Sequence, residues 1–300
     1  MKLFDVVPRR SLSLLRIIFF SALVLLVGCA DAPDQPVLRF SAIPDQDSAN
    51  LNPKFQAWAE HLSEQLGVEV QYVPVSDYKA AVEMFKQGEV QLAWFGGLTG
   101  VQARRAVPGA NAIAQGVEDP TFVSYFIANA SLGIERGDDF PAAISGQRFA
   151  FGSESSTSGR LMPEYFIRQH TSQSPADFMG SLPLFSGSHD KTVELVESGR
   201  VAVGMVNSKV YDRRVAEGET DPDRVVVIWQ TPPYPDYNFT AHPQLEEMFG
   251  PGFTDKIQRV LIETTDPDLL AVFPRSGLIP AKNSDYQMIF DTAKELGFVR

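Results

Sequence analysis

The sequence predicts an α/β fold of two lobes, with parallel sheets, helices on both faces and a ligand cleft between the lobes. Three observations predict it. Short apolar strands alternate with helices of about ten to fifteen residues along most of the chain, the order that builds parallel sheets. Two segments, 122–131 and 229–242, read as crossings between lobes, the second setting Tyr234 and Tyr237 among three prolines in TPPYPDYNF. The last third, helical over 244–262 and again after Ser284, reads as packing back on the first lobe.

The elements follow in order. Arg9, Arg10 and Arg16 flank an apolar run, 17–27, long enough for a signal-peptide core and too short to span a bilayer. It ends in Leu26-Val27-Gly28-Cys29, which resembles the lipobox of bacterial lipoproteins and implies cleavage before Cys29 and lipidation of its thiol. Ala30, in place of Asp, points to the outer membrane of a Gram-negative cell. Cys29 is the only cysteine, so no disulfide forms within the chain. The expected organisation is a leader at 1–28, a tether at 29–36, the first lobe at 37–125, the second at 126–236, and a return to the first at 237–300.

Within the first lobe, VLRFSAIP (37–44) reads as a strand. A helix follows, with Asn52 as N-cap, Pro53 at its first position, apolar Phe55, Trp58, Ala59, Leu62 and Leu66 on one face, and Gly67 as stop. After strand VEVQYVPV, Ser76 is the expected cap of a second helix whose Tyr78, Ala81, Val82 and Phe85 share a face. LAWFGG (92–97) is an apolar strand, followed by a helix on which Arg104 and Arg105 read as solvated. AIAQGV, FVSYFIAN, RFAFGS, LPLFSG, VAVGMVN and VVVIWQT continue the strand series.

A formal charge of −11 argues against a nucleic-acid partner and against a polybasic membrane patch. It does not exclude a small anion, because distant surface charge is screened over about 8 Å at physiological ionic strength. FGSESSTSGRLMP carries five hydroxyl residues in the six positions 153–158. RFAFGS is a strand and 157–169 a credible helix, so Ser155, Ser156, Thr157 and Ser158 lie at a strand's carboxyl end and a helix N-terminus. Free backbone N–H groups and the helix dipole attract an anion there, and Gly159 permits close approach. The loop lacks a Gly-Lys-Ser/Thr ending and a Gly-x-Ser-x-Gly frame, so neither a nucleotide P-loop nor a nucleophile elbow fits. A Ser-rich helix cap with no ligand reads equally well from this loop alone.

Several segments taken together resemble the solute-binding proteins of ABC importers for phosphonate, phosphite and phosphate: VSDYKAAVEMF, VQLAWFGGLTG, FGSESSTSGRLMP, FSGSHDKTVELVESG, VAVGMVNSKVYD and the PP-x-P crossing. FSAIPDQD, WFGGLTGVQAR, FIANAS and TPPYPDYNF resemble a subgroup labelled selenate-binding. The resemblance implies a two-lobed periplasmic-binding-protein fold of type II that closes on a small oxyanion and presents it to a permease driven by an ATPase, with no cofactor and no metal. It implies that Ser156, Thr157 and Ser158 bind the oxyanion, that His189 faces them, that Tyr78 reaches in from the first lobe, and that Asp236 is set against the ligand. Trp94 is an expected wall of the cleft. Lys209 stands where aminoalkylphosphonate binders carry a carboxylate, and Phe122 where many relatives have a Tyr, which favours a bare or alkyl oxyanion.

Other readings of the same cleft are a selenate or sulfate carrier, a ligand-sensing lipoprotein, or a hydrolase using Ser, His and Asp. Against the last, His189 and Asp190 are adjacent on a helix, where neighbouring side chains diverge.

Overall fold

The computed structural model describes Met1 and residues 35–300, so the rest of the leader, Cys29, Ala30 and tether residues 31–34 lie outside the described residues. The chain divides into two compact units, Met1–Gln35 and Pro36–Arg300, and the fold below is that of the second. In chain order its elements are β1 (Leu38–Ala42), α1 (Ser48–Leu66), β2 (Val70–Tyr72), α2 (Tyr78–Lys86), β3 (Leu92–Phe95), α3 (Gly97–Ala106), β4 (Asn111–Gly116), β5 (Ser124–Asn129), β6 (Phe149–Phe151), α4 (Met162–Thr171), α5 (Pro175–Met179), β7 (Leu184–Phe185), α6 (His189–Glu197), β8 (Val203–Asn207), α7 (Ser208–Ala216), β9 (Val225–Gln230), β10 (Asn238–Ala241), α8 (Gln244–Phe249), α9 (Phe253–Glu263), α10 (Pro267–Leu270), β11 (Leu278–Pro280) and α11 (Gln287–Glu295).

The strands form two sheets, ordered β11-β4-β10-β3-β1-β2 and β7-β6-β8-β5-β9. Both are mixed, which corrects the expectation of parallel sheets. β10 runs antiparallel to β3 and β4, and β5 antiparallel to β8 and β9. The cause is the double crossing: a strand entering from the other lobe arrives at the opposite end of the sheet from one fed by a local βα unit. β10 lies inside the segment read as a crossing, and β11 in the stretch between the two segments read as helical, to which no strand was assigned.

The two crossings are stitched together. Phe122 and Tyr234 exchange both backbone hydrogen bonds at 2.9 Å, and the Thr231 amide donates to the Ser124 carbonyl at 3.0 Å. Beneath them Arg275 pairs with Asp119 at 2.7 Å, both buried, and its guanidinium lies over the rings of Phe122 and Tyr237.

Helix starts differ from expectation by short distances with clear causes. α1 begins a turn before Asn52, because the Asp47 carboxylate accepts from the Ala49 amide and provides the cap; Pro53 falls inside the helix. α2 is capped by Asp77, which accepts from the Ala80 amide at 2.9 Å, while Ser76 donates to Asp77. The helix expected over 157–169 opens as a wide turn, Thr157–Leu161, closed by the Leu161 amide donating to the Ser156 carbonyl, and becomes α-helical only at Met162. The 244–262 helix breaks into α8 and α9 at Gly250-Pro251-Gly252. Arg104, read as solvated, turns inward to Asn238 and Thr240 at 2.8 and 2.9 Å.

Candidate functional site

Four N-termini face one another between the sheets: those of α2, α3, α6 and the Thr157–Leu161 turn. Each follows the carboxyl end of a strand, where ligands of α/β sheets bind. Hydrogen bonds cross the gap directly. The Leu98 amide donates to Thr157 Oγ1 at 3.0 Å, the His189 amide to the Asp45 carbonyl at 2.9 Å, and the Asp47 amide to Asp190 Oδ2 at 2.8 Å. Asp190 is held in turn by Arg213 and Arg214.

The Ser/Thr turn is where the expected residues meet. Ser156, Thr157 and Ser158 are buried; Ser156 Oγ caps the turn by accepting from the Gly159 amide at 2.9 Å. Gly159 is therefore committed to the cap, and its lack of a side chain serves a neighbour: a Cβ there would lie 3.0 Å from His189 Cε1. Ser155 differs from the other three, being half-exposed at the rim with its amide toward Ser153 Oγ.

His189 is fully buried, and burial pushes its pKa down to about 4. Its Nδ1 accepts from the Asn207 amide at 3.2 Å, so the single ring proton of the neutral imidazole sits on Nε2. Asp236 closes the second crossing. Its Oδ1 accepts from the Gly97 amide at 2.8 Å, and burial raises its pKa to about 7 against the opposing pull of the Gly97 amide and the Thr157 hydroxyl. Tyr78, first residue of α2, lies beside the Ser156 hydroxyl, and burial drives its phenol well above the usual range.

Tyr78 Oη, Ser158 Oγ, His189 Nε2 and Asp236 Oδ2 are all buried and carry no hydrogen-bond partner. An orphaned buried polar atom costs about 1–3 kcal/mol, so four grouped round one turn form a set awaiting a polar occupant. Three are donors and the fourth is a carboxyl oxygen near its titration point. The set suits a small tetrahedral oxyanion that carries one proton, with helix dipoles in place of a formal cation.

Trp94, expected at the cleft wall, stands one layer back. It stacks on Tyr237 at 5.4 Å and packs on Phe239 and Phe273. Tyr237 bridges the lobes, donating to Asp45 Oδ2 at 2.9 Å and accepting from Asn207 Nδ2 at 2.8 Å. Burial raises the Asp45 pKa to about 6. Phe122 is a hinge residue, and Lys209 lies half-buried on α7. Sequence reasoning missed the Gly97 and Leu98 amides, Asp45 and Asn207. The first two carry the same signal as the Ser/Thr stretch: a glycine pair between an apolar strand and a helix. An added Cβ at Gly96 would stand 3.1 Å from Thr157 Oγ1 and 3.3 Å from Asp236 Oδ1.

A two-lobed α/β fold hinged at two crossings, with a buried polar site between helix N-termini, defines the class of periplasmic binding proteins. Residues 40–286 match the family described as ABC transporter, phosphonate, periplasmic substrate-binding protein, and the chain belongs to that family. It is 38% identical over 271 residues to the probable ABC transporter phosphite binding protein PhnD1 of Prochlorococcus marinus, covering 88% of this chain and 91% of that protein. The solved structure of PhnD1 from that organism in complex with methylphosphonate superposes with a TM-score of 0.83, at 37% identity, covering 88% of this chain and 99% of that one. A binding protein component of an ABC phosphonate transporter from Pseudomonas aeruginosa shares the fold at 23% identity, with a TM-score of 0.74 and 86% of each chain covered. The relatives are transport components, and membership implies a periplasmic location.

Proposed function

We propose that this protein captures a small phosphorus oxyanion, of the phosphite or methylphosphonate class, closes on it and delivers it to an ABC permease. The observation that carries this reading is the set of four orphaned atoms, Tyr78 Oη, Ser158 Oγ, His189 Nε2 and Asp236 Oδ2, round the Ser156–Gly159 turn. The P. marinus relative bound to methylphosphonate supports it. Ser156 and Thr157 shape the site, the first as cap and the second as a bond between lobes. Selenate or sulfate is the less favoured ligand, because the ionised form of Asp236, which prevails above about pH 7, has no proton to accept from either. Hydrolysis is disfavoured by His189: its Nδ1 meets a backbone amide and not an orienting carboxylate.

We place the protein on a lipid anchor at Cys29, facing the periplasm, with Ala30 favouring the outer membrane. A Cys29→Ser variant is then released from the membrane fraction; continued fractionation with membranes rejects the anchor. Calorimetry on protein refolded to strip any ligand, against phosphite, methylphosphonate, phosphate, selenate and sulfate, tests the ligand class. Tightest binding by either of the last two rejects the phosphorus reading, as does binding by none.

A further inference from the structure

The segment between β1 and α1 meets the N-terminus of α6 across the gap, and the two are joined by a reciprocal pair of hydrogen bonds. The Asp45 carbonyl accepts from the His189 amide at 2.9 Å, one of the N–H groups that a helix start leaves without an intrahelical partner. Two residues on, the Asp47 amide donates to Asp190 Oδ2 at 2.8 Å. Asp190 is anchored in its own lobe: its Oδ1 is held by Arg214 at 3.1 Å and Arg213 at 3.3 Å, and Arg214 is fixed in turn to Thr220. Asp190 and Arg214 are buried, whereas Asp47 lies exposed at the rim. One carboxylate therefore divides its oxygens, one toward a guanidinium pair of its own lobe and the other toward a backbone amide of the opposite lobe.

Neither bond uses any of the four orphaned atoms, and both break once the sheets part by the ångström or so that ends a hydrogen bond. Resting on the functional reading above, we infer that Asp190 is a positioning residue for closure: with the Asp47 amide it forms a clasp at the rim that sets how long the shut form keeps its oxyanion, without touching that oxyanion. On opening, the amide and Oδ2 both return to water, so the clasp contributes the net worth of one hydrogen bond to a charged group, reduced by its exposure. It acts on release and not on capture, because it forms after the ligand has entered the open cleft. His189 couples the clasp to the site, since the residue that gives its amide to Asp45 is the one whose ring Nε2 is left unpaired.

The test separates the Asp47 amide from the Asp47 side chain. Asp47 has φ −61° and ψ 118°, which a proline ring adopts, so Asp47→Pro removes the donor; Asp47→Ala keeps the donor and removes the same helix-capping carboxylate. Association and dissociation rates for methylphosphonate are read by stopped-flow tryptophan fluorescence in the unaltered protein and both variants. Asp47→Pro releases the ligand at least about fivefold faster than Asp47→Ala, with association rates within about twofold of each other. Adding Asp190→Asn to Asp47→Pro speeds release by no more than about twofold further, because the two halves of one clasp are not additive. Equal release from Asp47→Pro and Asp47→Ala, with methylphosphonate still bound, overturns the clasp and leaves the functional reading standing. Failure of the unaltered protein to bind any phosphorus oxyanion overturns both. If Asp47→Pro shows no cooperative melt, Asp190→Asn is compared with the unaltered protein: faster release at an unchanged association rate supports the clasp, and a lowered melting temperature with unchanged release overturns it, leaving Asp190 only to brace Arg213 and Arg214.

Discussion

Replacing Asp236 with Asn probes how the site chooses among oxyanions. Oδ1 is engaged by the Gly97 amide at 2.8 Å, and an Asn carbonyl oxygen keeps that bond, so the substitution changes one atom: the orphaned Oδ2 becomes an NH₂ donor. With a pKa raised to about 7 by burial, the carboxyl and a phosphonate share one proton near neutrality. Below pH 7 Asp236 carries it and donates; above, an ionised Asp236 accepts it from the ligand. Once both are stripped, binding must take up a proton, and affinity falls about tenfold per pH unit. The Asn variant has no such proton to share. At pH 6 its NH₂ donates where the protonated carboxyl did, so methylphosphonate affinity stays within about tenfold, and the two proteins part only as pH rises above 7. Its alkaline pH slope flattens, and sulfate and selenate gain on methylphosphonate because a donor now meets them. Calorimetry across pH 5.5 to 9, in buffers of differing ionisation enthalpy, reads both affinity and proton uptake. An identical pH slope in the two proteins, or sulfate failing to gain, refutes the shared proton.

Two further outcomes test the geometry. Thr157→Val removes the acceptor of the Leu98 amide and weakens all bound oxyanions by about ten- to hundredfold, while solution scattering shows a more open average shape; an effect confined to one ligand contradicts the interlobe role. His189, held neutral by burial with a pKa near 4, contributes no pH dependence between about pH 5 and 8, and ring ¹⁵N shifts report Nε2–H throughout. A titration near 6.5 contradicts the buried neutral donor.

Strand and helix periodicity made the alternation of α2, β3 and α6 legible, and the Ser/Thr stretch stood out because one hydroxyl suffices for a cap. What stayed hidden depends on the crossings. β10 lies between Pro and Tyr residues that mark an irregular segment, and only the partners β3 and β4 make it a strand. Asp47 outcompetes Asn52 as a cap by geometry that composition does not encode. Asp45 and Asn207 were unreadable as a pair because 162 residues of chain separate them and only Tyr237 links them. Arg104 looked solvated because its partners, Asn238 and Thr240, sit on that same hidden strand.

The division of the donors between lobes has a consequence for unloading. Tyr78 and the Gly97 and Leu98 amides travel with one sheet, Ser158 and His189 with the other, and Asp236 sits at the hinge itself. On the proposed reading each is a half-site, and neither half alone encloses the cargo. Affinity is then a property of the shut shape: a permease that pries the halves apart by a few ångströms breaks the coordination without competing for any one group. Substitutions at the stitched hinge, such as at Phe122 or Tyr234, act on retention from a distance while leaving every contact to the cargo chemically intact.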